Sequence, residues 1–245
     1  MIKNLITDIK SSRRGCSEFY SKYFSSLISP YLSAICVKLK ISANTTTTLM
    51  LFSGVLSSLL LLSNSIYIQF IAALSLPLIN IWDTVDGEIA RYTKKTSKVG
   101  VYLDLVYQVI IDLFIYFAIG IKLYLATNNI LFLLPSIVLM FFYTITSYST
   151  LSYGNLMISR NSMSKNTYLN LSFNPKSKVQ FIAHITTSNV AFYHLYWMFL
   201  LVDILLIEFN YYSSPFSQFI FMSYLAVMSV IKFVVKFKKA INLLE

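Results

Sequence analysis

Six long apolar segments constrain this chain more than any other feature of its sequence. A helix of roughly 20 apolar residues spans the ~30 Å hydrocarbon core of a bilayer, and backbone polar groups in lipid must be bonded within the protein. The sequence therefore predicts an all-α, polytopic membrane protein with six transmembrane helices. The segments lie near residues 47–62, 66–82, 99–125, 130–147, 188–207 and 216–235.

Composition and charge agree with this prediction. Of the 245 residues, 56% are hydrophobic and only 12% are charged, whereas soluble domains carry about 25% charged residues. The 20 Lys and Arg residues, against 10 Asp and Glu, lie mainly between the apolar segments. We therefore expect no nucleic-acid partner, and both termini in the cytoplasm by the positive-inside rule. The abundance of Phe, Tyr, Ile, Asn and Lys indicates an AT-rich genome of the kind found in bacteria. We therefore expect the membrane to be a bacterial inner membrane.

The segments outside the six spans are more polar. Residues 17–39 hold short apolar runs between Lys22 and Lys38, which predicts an amphipathic helix in the cytoplasmic interface. Residues 152–180 are rich in Ser and Asn and predict a long cytoplasmic loop. No repeat or linker divides the chain. We expect one membrane domain over 1–245, with an N-terminal segment at 1–44, a core at 45–238 and a site at 83–112.

Half of the acidic residues fall in one window around the ends of the second and third spans: Asp83, Asp86, Glu88, Asp104 and Asp112. A carboxylate in a membrane span costs about 2.5–3.5 kcal/mol even on insertion scales, so several together require a compensating cation. Asp83 and Asp86 are spaced i, i+3 and face the same way, and Asp104 begins the next span. Three converging carboxylates are a hard-oxygen ligand set suited to Mg²⁺ or Mn²⁺.

Small and basic residues beside these acids predict a pocket for a phosphate group. Gly87 lets a phosphate or a base approach the backbone closely. Ala90 keeps the same face open, and Arg91 provides a positive fork for a phosphate oxygen. Gly100 allows the third helix to pack closely against the second.

The segment D-T-V-D-G-E-I-A-R at residues 83–91, followed by Gly100 and Asp104, resembles the signature D-x2-D-G-x2-A-R-x8-G-x3-D-x3-D of the CDP-alcohol phosphotransferase family, also called CDP-alcohol phosphatidyltransferases. Every fixed position matches except the last, which is Gln108 here. The segment I-S-A-N-T-T-T at 41–47 is similar to the family's T-P-N-x-x-T, with alanine in place of proline.

The resemblance implies a six-helix, usually dimeric fold with a site open to the cytoplasm. In this site a pair of Mg²⁺ or Mn²⁺ ions binds the pyrophosphate of a CDP-linked donor, a hydroxyl acceptor attacks, and CMP leaves. At least one substrate is a lipid, in phospholipid or surface-glycolipid biosynthesis. The resemblance assigns metal binding to Asp83, Asp86 and Asp104, and the nucleotide pocket to Gly87, Ala90, Arg91 and Gly100.

Gln108 occupies the position of the family's fourth aspartate, which takes the acceptor's proton. A glutamine does not accept a proton near neutral pH, although its carbonyl can orient a hydroxyl. Asp112 lies one turn further, about 6 Å along the helix, and is either a displaced base or a buried acid bonded to a neighbouring hydroxyl. A non-catalytic relative that binds nucleotide or lipid is therefore the alternative function. An Asp-rich prenyl transferase is disfavoured, because its N-D-x2-D-x3-D pattern is absent.

The remaining polar residues have simpler interpretations. We expect His184 and His194 to be structural. Lys176 and Lys178 either bind an anionic substrate or belong to an ordinary cytoplasmic loop. We expect Asp203 and Glu208, near the outer end of the fifth span, to be interfacial.

Overall fold

The computed structural model describes residues 2–13, 19–96, 98–159, 178–211 and 215–244. Within these ranges the chain is helical between short turns and has no strand. A π-helical turn at Ser21–Ser25 precedes the second helix, and a 3₁₀ turn at Ile130–Phe132 precedes the sixth. The α-helices are α1 (Ile2–Ser11), α2 (Ser26–Lys38), α3 (Ala43–Leu61), α4 (Ile66–Tyr92), α5 (Lys98–Thr127), α6 (Leu134–Ser159), α7 (Lys178–Thr187), α8 (Asn189–Glu208) and α9 (Phe216–Leu244).

Six helices in the described part of the chain are long and apolar enough to cross a membrane, which confirms the predicted fold class. Large apolar side chains such as Phe52, Ile71 and Phe141 are exposed on them, as expected where lipid rather than water is the solvent. The chain is a multi-pass membrane protein. The candidate spans are Ala43–Leu61, Ile66–Tyr92, Tyr102–Thr127, Ile130–Ser149, Val190–Glu208 and Phe216–Lys238.

Three helices extend well beyond their predicted ends. Helix α4 continues past residue 82 to Tyr92, α6 continues past residue 147 to Ser159, and α9 continues past residue 235 to Leu244. The predicted loop at 152–180 is therefore wrong at both ends, since α7 begins at Lys178; residues 160–177 lie outside the described ranges. The physical reason is that Ser, Tyr and Asn each cost less than about 1 kcal/mol relative to alanine inside a helix. A polar composition alone therefore does not end a helix.

The predicted N-terminal helix is present and has two distinct faces. A serine at every fourth position from Ser21 to Ser33 is buried. On the opposite face, Leu27, Tyr31 and Ile35 are more than half exposed. Its place in the membrane interface stays a prediction.

The helices group into two compact units, Met1–Ile115 with Asn174–Trp197, and Tyr116–Phe173 with Met198–Glu245. In the first unit α3 packs along α4, and a Cβ at Gly54 of α3 would lie 2.5 Å from Ile111 Cγ2 of α5. In the second unit α6 packs along α9, where the rings of Phe142 and Phe233 are 5.7 Å apart. All the predicted site residues belong to the first unit, and the single membrane domain stays a prediction.

Asp203 of the second unit joins two helices. It is 1% exposed, and its expected position at the membrane interface stays a prediction. Its Oδ1 accepts a hydrogen bond from the Ser217 backbone N–H at 2.8 Å, and its Oδ2 accepts one from the Gln218 N–H at 3.2 Å. The first N–H groups of a helix lack intrahelical partners, and a carboxylate there also complements the helix dipole. Asp203 of α8 therefore caps α9.

We predict that Asp203→Ala lowers the thermal unfolding temperature in detergent, because it removes the acceptor of two buried N–H groups at a cost of about 1–3 kcal/mol. Asp203→Asn should cost less, since its amide oxygen still accepts one bond. The matched control is Glu208→Ala, an exposed acid on the same helix, whose effect should be smaller, because contacts of exposed charges contribute about 0–1 kcal/mol. Equal losses for Asp203→Ala and Glu208→Ala would contradict the capping role.

Candidate functional site

The last turns of α4 carry most of the predicted site residues. The helix runs unbroken through residues 83–91. It ends at a left-handed Lys94, with φ of 55°, where the Lys95 N–H bonds the Ala90 carbonyl at 3.0 Å. This is the hydrogen-bond pattern of a Schellman C-cap. The cap follows the motif directly, so Asp83, Asp86, Gly87, Ala90 and Arg91 project from one rigid helix.

Three predicted ligands come together where α4 meets α5. The carboxyl groups of Asp83 on α4 and Asp104 on α5 lie within hydrogen-bonding distance of each other. Asp86 lies close enough to both for the carboxylates to interact electrostatically. Asp83, Asp86 and Asp104 therefore lie near one another, while their role as metal ligands stays a prediction.

Arg91 lies against Gly87 and beside these acids. A Cβ at Gly87 would lie 3.0 Å from Arg91 Nη1 and 3.2 Å from Nη2. Side chains on a helix lean toward its N-terminus, which brings the guanidinium back over Gly87. Its positive charge acts on both Asp83 and Asp86. Gly87 thus provides room for a cationic group next to the carboxylates, where a phosphate can accept its hydrogen bonds.

Helix α3 orients one of the carboxylates. Thr47 Oγ1 donates a hydrogen bond to Asp86 Oδ2 at 2.7 Å, and Asp86 is 7% exposed. Helix α3 begins one turn earlier, where the Ser42 hydroxyl accepts the Thr45 N–H at 3.2 Å. The N-cap at Ser42 therefore fixes the start of α3, the helix from which Thr47 contacts Asp86.

The oxygen atoms of this cluster are of the kind that divalent cations prefer. Asp104 Oδ1 is buried and has no hydrogen-bond partner in the described part of the chain. Carboxylate oxygens are the ligands that Mg²⁺ and Mn²⁺ prefer. Among the described residues no three acidic, His or Cys side chains are arranged so that they could hold a metal ion, and Asp86 Oδ2 is bonded to Thr47. The residues supply suitable donor atoms, one of them without a partner.

A family model described as CDP-alcohol phosphatidyltransferase matches residues 40–237. The chain belongs to the CDP-alcohol phosphatidyltransferase family. The match includes all six candidate spans except the last residue of the sixth, and it includes all the predicted site residues. A comparison with curated proteins found no match. Membership implies a CDP-alcohol donor, an alcohol acceptor and association with the membrane.

Helix α3 explains one departure from the CDP-alcohol phosphatidyltransferase pattern. The family's T-P-N-x-x-T falls on Ser42 to Thr47, with Ser42 as N-cap and Ala43 as the first residue of α3. Proline is favoured at the first helical position, because its missing N–H is not needed there. Ala43 therefore preserves the helix start, and the final threonine of the pattern is Thr47.

Gln108, at the position that the resemblance gives to a fourth aspartate, lies in α5. It is partly buried, one turn after Asp104. Asp112, a further turn along, is 0% exposed and accepts a hydrogen bond from the Tyr193 hydroxyl of α8. Such a bond is what we expect of a packed acid, while its catalytic role stays a prediction. Gly100 lies in the first turn of α5.

The other predicted polar residues lie in different surroundings. The His194 ring stacks on Tyr20 at 4.7 Å between centroids, and its Nδ1 bonds the Val190 carbonyl at 2.8 Å, which suits a structural role. Lys178 is exposed at the start of α7. Lys176 and the His184 side chain lie outside what the structure describes.

Sequence reasoning missed the partners of Glu88. It grouped Glu88 with the other acids, yet the side chain is 0% exposed and bonds Arg13, Ser29 and Ser33. The signal that could have found them is the serine at every fourth position from Ser21 to Ser33.

We predict that Thr47→Val weakens Mg²⁺-dependent CDP binding about tenfold, because a lost hydrogen bond to a charged group is worth about 1.5–3 kcal/mol. Thr47→Ser keeps the hydroxyl and should bind nearly as well as wild type. The matched control is Thr48→Val, since the Thr48 hydroxyl bonds the Asn44 carbonyl of its own helix at 3.0 Å. Calorimetry in nanodiscs, with and without Mg²⁺, measures the affinities; equal losses for the two valine variants would contradict a role for Thr47.

Proposed function

We propose that this chain is an enzyme that transfers a substituted phosphate group, phosphatidyl or phospho-alcohol, from a CDP-linked donor to a hydroxyl acceptor and releases CMP. The observation that supports this most is the convergence of Asp83, Asp86 and Asp104 beside the Arg91 guanidinium, in a member of the CDP-alcohol phosphatidyltransferase family.

The reaction makes and breaks one bond at phosphorus. The acceptor oxygen bonds to the phosphorus that carries the alcohol or diacylglycerol group. The bond from that phosphorus to the bridging oxygen breaks, and CMP leaves with the electron pair. Because such transfers depend mainly on positioning and on neutralising charge, the site needs to hold the pyrophosphate and orient the acceptor hydroxyl.

We infer that Asp83, Asp86 and Asp104 hold Mg²⁺ or Mn²⁺, as a pair. Such cations, when bound, neutralise negative charge on the pyrophosphate oxygens. Thr47 orients Asp86. Asp104 Oδ1, which has no hydrogen-bond partner among the described residues, offers a donor atom.

The pocket residues have distinct roles in the proposed donor complex. Arg91 donates hydrogen bonds to a phosphate oxygen, and Gly87 leaves room both for the guanidinium and for the nucleotide. Ala90 keeps the pocket open, and Gly100 brings α5 close to α4.

The acceptor proton needs a route that does not use a carboxylate at position 108. Gln108 can accept a hydrogen bond from the acceptor hydroxyl and orient it. Asp112 is fully buried and bonded to Tyr193. We therefore propose that Gln108 orients the acceptor and that the proton passes to water, with Asp112 as the other candidate base.

The substrates and the setting of the enzyme follow from the same reasoning. The site lies near the ends of membrane helices, which favours a lipid as donor or acceptor, and hence phospholipid or surface-glycolipid biosynthesis. The basic connections favour a cytoplasmic position for the site and for both termini, and we propose a bacterial inner membrane as the setting. The family resemblance favours a homodimer.

CMP release from a panel of labelled CDP-alcohols tests this function. Wild type, Gln108→Asp and Asp112→Asn are compared in proteoliposomes with Mg²⁺ or Mn²⁺. We expect wild type to turn over and Gln108→Asp to be faster, since a general base contributes about 10²–10⁴-fold. Asp112→Asn should retain activity, because an amide oxygen still accepts the Tyr193 hydrogen bond.

Two results would change the assignment. If Asp112→Asn abolishes CMP release without loss of CDP binding, Asp112 is the displaced base. If wild type is silent with every donor while Gln108→Asp gains activity, the chain is a non-catalytic relative that binds nucleotide or lipid, and the proposed enzyme is wrong.

A further inference from the structure

Glu88 lies inside the motif but takes no part in the carboxylate cluster. It follows Gly87 directly, yet it is 0% exposed and its carboxylate is fully engaged by another part of the chain. Oε1 accepts hydrogen bonds from Arg13 Nε and Ser29 Oγ, both at 2.7 Å. Oε2 accepts one from Ser33 Oγ at 2.6 Å. A buried carboxylate is tolerated when its charge is paired and its lone pairs are used.

Arg13 is the charged member of this contact. Its Nη2 lies 2.6 Å from Glu88 Oε1 and also donates to Ser29 Oγ at 2.9 Å. Arg13 follows α1 and lies 75 positions before Glu88 in sequence. The family match begins at residue 40, so Arg13, Ser29 and Ser33 lie before the matched residues.

A second polar contact lies on α4, two helical turns before Glu88. Ser21 Oγ donates to Asn80 Oδ1 at 3.1 Å, and Asn80 Nδ2 donates to Ser25 Oγ at 2.7 Å. Asn80 is 3% exposed. Asn80 and Glu88 are eight residues apart on α4, and the serine pairs that bond them are also eight residues apart. A shift of the helical segment from Ser21 to Ser33 along α4, or a rotation of α4, would break both contacts at once.

We propose that Arg13 is a positioning residue of the site: through Glu88 it fixes the rotation and register of the α4 turn that carries Asp86, Gly87 and Arg91. This inference rests on the proposed function and adds to it a requirement for the N-terminal segment. Misplacement of a reacting group by about 1 Å from a distant change can cost about 10²-fold in rate. The contact therefore affects turnover without touching the substrate.

The experiment compares Arg13→Gln, Arg13→Lys, Glu88→Gln and the double variant Arg13→Gln with Glu88→Gln. Kinetics of CMP release give kcat for each. We expect Arg13→Gln to lower kcat at least about tenfold and Arg13→Lys to lower it less, because the charge remains. The double variant should be no slower than the single ones, since both remove the same contact. Lys3→Gln, an exposed cation in α1, should match wild type.

A second readout does not depend on activity. An Ala90→Cys thiol, in a chain with Cys16→Ser, is labelled with a water-soluble maleimide in nanodiscs. Cys36 is kept because it packs against α4. Its burial raises the pKa of the Cys36 thiol, which slows the labelling of Cys36. A chain without Ala90→Cys measures the background labelling. We expect Arg13→Gln to change the Ala90→Cys labelling rate severalfold, because the half-buried Ala90 moves with the turn.

Asp203→Ala separates positioning from general instability, since it loosens a contact in the other compact unit. It should lower the unfolding temperature but leave both kcat and the labelling rate unchanged. An unchanged labelling rate in Arg13→Gln overturns the positioning role, whatever the activity. If wild type never releases CMP, the proposed function fails, and the labelling rates still decide the role of Arg13.

Discussion

The cost of placing carboxylates at the ends of membrane helices governs the site of this protein. Four acids lie within or beside the turns where α4 meets α5, in a chain with only 10 acidic residues. A buried charge needs a partner, or its burial cost outweighs other contributions to stability. The protein provides an internal comparison. Glu88 is satisfied by a guanidinium and two hydroxyls, whereas Asp83 and Asp104 face each other and Asp104 Oδ1 has no partner among the described residues.

This contrast supports an exchangeable ligand at the aspartates. A purely structural cluster could have been completed by hydroxyls in the way that Ser29 and Ser33 complete the surroundings of Glu88. Thr47 does this for one oxygen of Asp86 only. This contrast is one reason why we propose that the aspartates bind a cation together with a pyrophosphate, with Arg91 supplying further positive charge.

Much of the fold and the centre of the site could be predicted from sequence, because both depend on local spacing. Apolar runs of membrane length predicted six spans, and the i, i+3 spacing of Asp83 and Asp86 placed them on one helix face. Partners distant in sequence could not be predicted: Arg13 and Glu88, Thr47 and Asp86, or Tyr193 and Asp112. The prediction of a loop over 152–180 was wrong at both ends, because composition does not reveal where a helix ends.

The most direct test of the site is calorimetric CDP binding to the purified protein in nanodiscs, with and without Mg²⁺ or Mn²⁺. We expect CDP affinity to rise when the cation is present. Asp83→Asn should remove this cation dependence, because it replaces an ionised ligand by a neutral amide at the centre of the cluster. Cation-dependent CDP binding that is unchanged in Asp83→Asn would contradict the assignment of the aspartates as the metal and nucleotide site.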